Sequence, residues 1–265
     1  MATMEQQSNK PKRELVFPSE YPVLTPPREF LERCDRYGLV LEPTEIDALA
    51  RFLSLMLACN EVLNLTSITE PLAAWEKHIF DSLTLLPFMQ ESGKSAKVAD
   101  IGSGGGVPAI PLAIVCPGFD FTLIETTGKK AQFLMHAALT LGLGNVRTVN
   151  SRAEDVGQEF RTHRAVYDIV TARAVGRINV LAELTAPLVK VGGLVVLTKG
   201  EKAQEELDEA RLAMKTVGLA HAGTHETPTG RVVVLEKTRP TPRPYPRRAG
   251  EPKRSPIGSS SSEKK

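Results

Sequence analysis

The chain has 265 residues, 42% hydrophobic and 24% charged, with a net charge of +2; this is a soluble globular balance, enough for one large domain, or one domain plus a small cap, with a core that needs no staples. No apolar run reaches the roughly 18 to 20 residues of a membrane span, and the N-terminal MATMEQQSNKPKRELVFPSE lacks a signal-peptide core, so the expected location is the cytoplasm. Cys34, Cys59 and Cys116 are too scattered for a disulfide or zinc framework, and no His/Cys/Asp cluster has metal-ligand spacing, so no metal is expected.

Residues 1–29 are polar and proline-containing and read as a flexible extension. Residues 30–95 read as a helical segment packed on the core. A first helix starts near Pro27 and runs to about Tyr37. A second takes Thr44 as N-cap with Asp47 three residues on, and Ile46, Leu49, Phe52, Leu53, Met56 and Leu57 follow helical spacing. A third spans roughly Leu72 to Gln90, interrupted or bent near Pro87.

The pattern then changes. Over residues 96–238, strands are expected at Lys97–Ile101, Phe121–Glu125, Val146–Asn150, Tyr167–Thr171, Gly193–Leu197, Ala220–Glu226 and Arg231–Glu236. Helices fall between them: one with Pro108 and Pro111 in its first turn, then Lys129–Leu141, Ile178–Val189 and Glu201–Val217. The last two strands join through Pro228–Gly230. Seven strands in this alternation imply an α/β fold: a mostly parallel sheet covered on both faces, with an antiparallel strand at one edge. Such sheets bind ligands at the carboxyl ends of their strands.

Residues 239–265 form a basic, proline-rich tail. From Lys237 onward there are nine Lys or Arg and two Glu, a local charge of +7, which leaves −5 on residues 1–236. That split suits an anionic partner such as nucleic acid, although a solvated tail has the same composition. Its prolines favour an extended chain, and the final GSSSSEKK reads as disorder.

The first strand ends in Gly102-Ser103-Gly104-Gly105-Gly106. A dinucleotide fingerprint needs glycine where Val107 stands, and a phosphate loop needs Gly-Lys-Ser/Thr where this chain has Gly106-Val107-Pro108. What remains is a bare bend with Asp100 at one strand tip and Glu125 at the next. Two such carboxylates suit a cationic ligand with a ribose diol, Asp100 near the amino-acid half and Glu125 on the hydroxyls. That is the chemistry of S-adenosylmethionine. The alternative is that both merely cap strand ends.

Several runs occur in one order: Asn64-Leu65-Thr66-Ser67-Ile68, Lys77-His78-Ile79-Phe80-Asp81-Ser82, DIGSGGGVPAIPL from Asp100 to Leu112, Glu125 to Lys130, Ser151 to Glu154, Ala172-Arg173-Ala174, Lys199-Gly200 and Tyr245 to Gly250. Together they resemble the RsmG (GidB) family of bacterial ribosomal RNA methyltransferases, over about residues 30–257. The resemblance implies a Rossmann-like class I S-adenosylmethionine-dependent methyltransferase fold with an N-terminal helical segment. It implies methylation of guanine N7 in 16S rRNA of the small ribosomal subunit. It places the cofactor on Gly102, Val107, Ala153, Glu154 and Arg173, with Asp100, Gly104 and Glu125 joining by the logic of the fold. The family usually has proline where this chain has Gly105.

Guanine N7 carries a lone pair and no proton, so no general base is needed and none is obvious. Arg173, directly after the fourth strand, is the first candidate catalytic residue; a salt bridge to a carboxylate is its alternative. His78 is the second, with Asp81 on the same helical face, as an entrance-builder or RNA contact. Lys77, Arg152, Lys199, Arg247 and Arg248 are candidate phosphate contacts. Trp75 and Phe133 are assigned to the core. No feature calls for an oligomer, so a monomer is expected. Two further readings stay open: methylation of another RNA or a protein, and a non-catalytic ribosome-binding module.

Overall fold

The computed structural model describes residues 15–90 and 93–259. The expectations for residues 1–14 and 260–265 lie outside them. Residues 15–27 pack rather than trail. Phe17 stacks on His136 at 4.4 Å, and the Leu24 amide donates to Ser54 Oγ at 2.8 Å.

The helical segment begins with α1 (Arg28–Arg36) and α2 (Pro43–Leu63). The N-cap of α2 is Glu42, not Thr44, with Glu45 completing a reciprocal capping box. Pro43 supplies the φ of a first helical residue, so the helix opens two positions earlier than the threonine suggests. The expected third helix is divided into α3 (Pro71–Ala74), a π-helical turn at Trp75–Phe80, α4 (Asp81–Leu83) and α5 (Leu86–Gln90). The break before α5 follows from Pro87, whose ring would clash with the carbonyl of Leu83.

Seven strands make one sheet: β1 (Lys97–Ile101), β2 (Asp120–Ile124), β3 (Val146–Val149), β4 (Tyr167–Arg173), β5 (Val189–Lys199), β6 (Leu219–Thr227) and β7 (Gly230–Lys237). Their order is β3-β2-β1-β4-β5-β7-β6. β1 to β5 are parallel, as expected. The antiparallel strand is not at the edge. β7 lies between β5 and β6, antiparallel to both. The two-residue link Pro228–Thr229 permits only hairpin pairing of β6 and β7. The same topology brings that turn to the carboxyl end of the parallel strands.

The remaining helices are α6 (Ala109–Val115), α7 (Gly128–Thr140), α8 (Ala153–Val156), α9 (Ile178–Thr185), α10 (Ala203–Val217) and α11 (Glu251–Arg254). α9 stops before Pro187 instead of passing through it: Ala186 is still helical, but Pro187 has no N–H to bond the Glu183 carbonyl and its ring would crowd that oxygen. One face of the sheet packs on α2, α6, α7 and the π-turn, with Phe52, Trp75, Phe80 and Phe133 fully buried. The other packs on α8, α9 and α10 around Tyr167, Leu181 and Leu207. Burial on both faces explains the near-continuous apolar runs of the central strands. Burial also pushes the three free thiols up to about 11.

The tail is strapped to the body over residues 238–259, which corrects the picture of a solvated arm. Arg164 donates to the carbonyls of Gly157, Thr241, Pro242 and Tyr245. Arg247 grips Glu183 of α9 through Nε at 2.9 Å and Nη2 at 2.6 Å, and its backbone amide donates to the same carboxylate. Glu183 is fully buried. An Arg247→Ala variant strands that charge, so unfolding in urea should show a loss of about 3–5 kcal/mol. Wild-type stability in this variant would mean that the strap contributes nothing.

Candidate active site

The bend after β1 follows from its glycines. Gly102 has φ +67°, and a Cβ there would meet Val175 Cγ2 at 2.7 Å. Gly104 has φ +53°, and its Cβ position meets only Gly102 O at 3.7 Å, so a ligand can lie against bare backbone. Gly105 faces Met56 and Leu65, joining the bend to the helical segment. Val107 is half-buried and leads into α6.

Both predicted carboxylates sit at this bend. Asp100 is 1% exposed; its Oδ1 accepts from Thr171 Oγ1 at 2.7 Å, and its Oδ2 has no partner. Burial pushes its pKa up to about 6, helped by the nearby charge of Glu125 and opposed by Thr171, Ser103 and Arg173. Glu125 follows β2 directly. It accepts from the Gly104 amide at 2.9 Å and the Thr127 amide at 2.7 Å, so it shapes the bend. Each of its oxygens keeps a further acceptor site. An orphaned buried carboxylate oxygen beside an open backbone fits a ligand bearing an N–H cation, as S-adenosylmethionine does.

Arg173 is the last residue of β4. Its Nη1 donates to Lys77 O at 2.5 Å and to Asp81 Oδ2 at 3.1 Å. The salt bridge weighed in the sequence is therefore present and ties the sheet to α4, while the bond to Lys77 O ties it to the π-turn. His78 is 2% exposed. Its Nε2 lies 3.1 Å from Ile68 O and 3.1 Å from Thr66 Oγ1. A carbonyl only accepts, so Nε2 carries the proton, and Nδ1 presents its lone pair 3.5 Å from Arg173 Nη2. Burial pulls the His78 pKa down, with Arg173 adding to the effect and Ile68 and Asp81 opposing it. The ring is thus a neutral prop under Arg173.

Asp81, 6% exposed, also accepts from Thr229 Oγ1 at 2.6 Å. Sequence reading paired Asp81 with His78 but missed its bond to Arg173. It missed Thr229 and Thr171 entirely. Only the register of distant strands brings those hydroxyls in, and a threonine beside a turn glycine carries no such signal.

The other predicted residues divide. Ala153 and Glu154 open α8, and both are buried; the Glu154 carboxylate accepts from the Gly250 amide at 2.7 Å and so holds the tail. Lys77, Arg152 and Arg248 are exposed. Lys199 and Arg247 are half-buried and held in ion pairs. Lys199 pairs with Glu206 at 2.6 Å and donates to Gly176 O at 2.9 Å, and Arg247 pairs with Glu183. Among the described residues, no group of His, Cys, Asp or Glu is arranged to hold a metal ion, and no helix is long and apolar enough to cross a membrane.

Comparison with known proteins agrees with this geometry. The strand order and both covered faces are those of class I methyltransferases. A putative S-adenosyl-L-methionine-dependent methyltransferase from Methanococcus maripaludis superposes with a TM-score of 0.51 at 12% identity, over 76% of this chain and 96% of that one; this likeness concerns the fold. A ribosomal RNA small subunit methyltransferase G from Sorangium cellulosum is 48% identical over 225 residues, covering 85% of this chain and 93% of the relative. Its counterpart from Streptococcus sanguinis is 38% identical over 239 residues, covering 87% and 99%. The GidB family profile, described as rRNA small subunit methyltransferase G, matches residues 45–232. With the profile spanning most of the sheet and the helical segment, the chain belongs to the GidB family.

Proposed function

We propose that this chain methylates N7 of one guanine in 16S rRNA, with S-adenosyl-L-methionine as donor and S-adenosyl-L-homocysteine as product. The observation that carries the reading is the unpartnered Asp100 oxygen at a bare glycine bend, in a chain of this family. Asp100, Gly102, Gly104, Val107, Glu125, Ala153, Glu154 and Arg173 would hold the cofactor, with Glu154 doing so through its backbone while its carboxylate secures the tail. When bound, the cofactor supplies an electrophilic methyl group on a sulfonium sulfur.

The chain's own residues position and enclose. Guanine N7 is an unprotonated acceptor, so no group has to remove a proton. His78 fits that requirement, since its ring is buried and its one N–H is already engaged. Arg173 presents a planar set of donors at the mouth of the cleft. Lys77, Arg152 and Arg248 are read as phosphate contacts around it, while Lys199 and Arg247 support the scaffold. The protein is read as a cytoplasmic monomer.

The test incubates purified protein, labelled cofactor and under-methylated small subunits, and maps the product by mass spectrometry. One label per subunit, on guanine N7 of 16S rRNA, is expected. Replacing Arg152 or Arg248 by alanine should lower the slope of log affinity against log salt by about one each. Label on protein or on another RNA would favour the competing enzyme reading. Failure to bind the cofactor in calorimetry would favour the ribosome-binding one.

A further inference from the structure

We propose that Thr229, acting through Asp81, is a positioning residue for Arg173, so that the far hairpin of the sheet sets the geometry of the active site. This rests on the proposed role of Arg173 at the methyl-transfer centre.

Three observations converge on Thr229. First, its hydroxyl donates to Asp81 Oδ1 at 2.6 Å, while Asp81 Oδ2 accepts from Arg173 Nη1 at 3.1 Å. One carboxylate therefore joins the hairpin to the arginine, with both oxygens used. Second, the turn that carries Thr229 is itself fixed. Lys77 Nζ donates to Thr229 O at 3.3 Å. A Cβ on Gly230 would lie 2.7 Å from Lys199 O, so the turn sits directly on the end of β5. Third, the linking carboxylate and the histidine beside it are nearly closed to water, Asp81 being 6% exposed and His78 2% exposed.

A carboxylate with one donor on each oxygen cannot rotate about its terminal torsion without losing one of them. Removing the Thr229 hydroxyl frees that rotation and leaves Oδ1 unpaired. Arg173 Nη1 would then keep the Lys77 carbonyl but lose a fixed counter-charge. The guanidinium plane would be free to tilt, and a displacement of about 1 Å at a reacting centre is enough to cost roughly 100-fold in rate.

The experiment compares Thr229→Val, which keeps the shape and loses the hydroxyl, with Thr229→Ser, which keeps the hydroxyl. Turnover on small subunits should fall about 10- to 100-fold in Thr229→Val, chiefly in kcat, and return to within about threefold of wild type in Thr229→Ser. Placed in an Arg173→Lys background, Thr229→Val should add little further loss, because the group it positions is gone. A second readout needs no turnover. The Arg173 guanidinium signal in nitrogen-15 NMR, identified by its disappearance in Arg173→Lys, should be resolved in wild type and in Thr229→Ser. In Thr229→Val it should broaden or average. Full activity in a folded Thr229→Val protein, equal losses with and without Arg173, or an unchanged guanidinium signal would each overturn the proposal. A wild-type protein inactive on subunits would instead count against the proposed function, and the NMR comparison would still decide the role of Thr229.

Discussion

Arg173→Ala is expected to lower methyl transfer by about 1,000-fold, the upper end for deleting one preorganised donor at a reacting centre. The structure adds a stability cost that the sequence did not suggest. Asp81 is nearly buried, and the arginine is its only charged partner at hydrogen-bond distance among the described residues. Truncation leaves that carboxylate without its counter-charge, at a cost of about 3 kcal/mol. Arg173→Lys separates the two effects. An ammonium can remain near Asp81 and preserve much of the stability. It cannot reproduce the planar fork that reaches Lys77 O and Asp81 while lying against His78. Lysine should therefore restore the melting temperature more fully than the rate. Near wild-type turnover by the alanine variant, on intact subunits and short RNA alike, would remove Arg173 from the site.

Asp100→Asn should move stability and ligand binding in opposite directions. Burial raises the pKa of the Asp100 carboxyl to about 6, above its ordinary value near 3.8. The folded state then holds the proton more tightly than the unfolded chain between about pH 4 and pH 6. The stability this contributes is complete below pH 4 and is lost as pH rises through 6, so at neutral pH the ionised group burdens the fold by about 2–3 kcal/mol. Asparagine removes the charge. Its apo melting temperature at pH 7 should exceed wild type, and the loss of stability between pH 4 and pH 6 should flatten. Cofactor affinity should fall about 100-fold or more if the unpartnered oxygen is, as proposed, the acceptor for a cationic ligand. In wild type, affinity should weaken about tenfold per pH unit below 6; in Asp100→Asn it should not. Calorimetry from pH 4 to pH 8 reads both. Equal cofactor affinity in the two proteins would sink the assignment of Asp100.

Local chemistry made the core of this molecule legible. The glycine run after a short apolar strand fixed the bend, and alternating strands and helices fixed a parallel sheet. Carboxylates at two strand tips marked the carboxyl end of the parallel strands. Prolines were less reliable guides to continuity. The interruption near Pro87 was legible, but Pro187 ended a helix expected to run through it. What stayed hidden was long-range. Thr229 and Asp81 are 148 positions apart, and Arg173 and Asp81 are 92 apart. Nothing in the local pattern of either residue reports its partner. Charge was the least informative signal. Lys199 and Arg247 look like the exposed cations around them until the fold supplies Glu206 and Glu183. The anchorage of the tail was hidden for the same reason: proline favours an extended chain and says nothing about whether it lies against a surface.

The bond from the Gly250 amide to Glu154 spans 96 positions, and the grip of Arg247 on Glu183 spans 64. Translation makes the chain from its N-terminus, so every strand of the sheet leaves the ribosome before these two latches exist. Until they form, Glu183 lacks its arginine and the start of α8 lacks its fastening. A message interrupted ahead of codon 247 would thus yield a product with all seven strands but an unneutralised acid in its interior, the kind of polypeptide that cellular proteases clear.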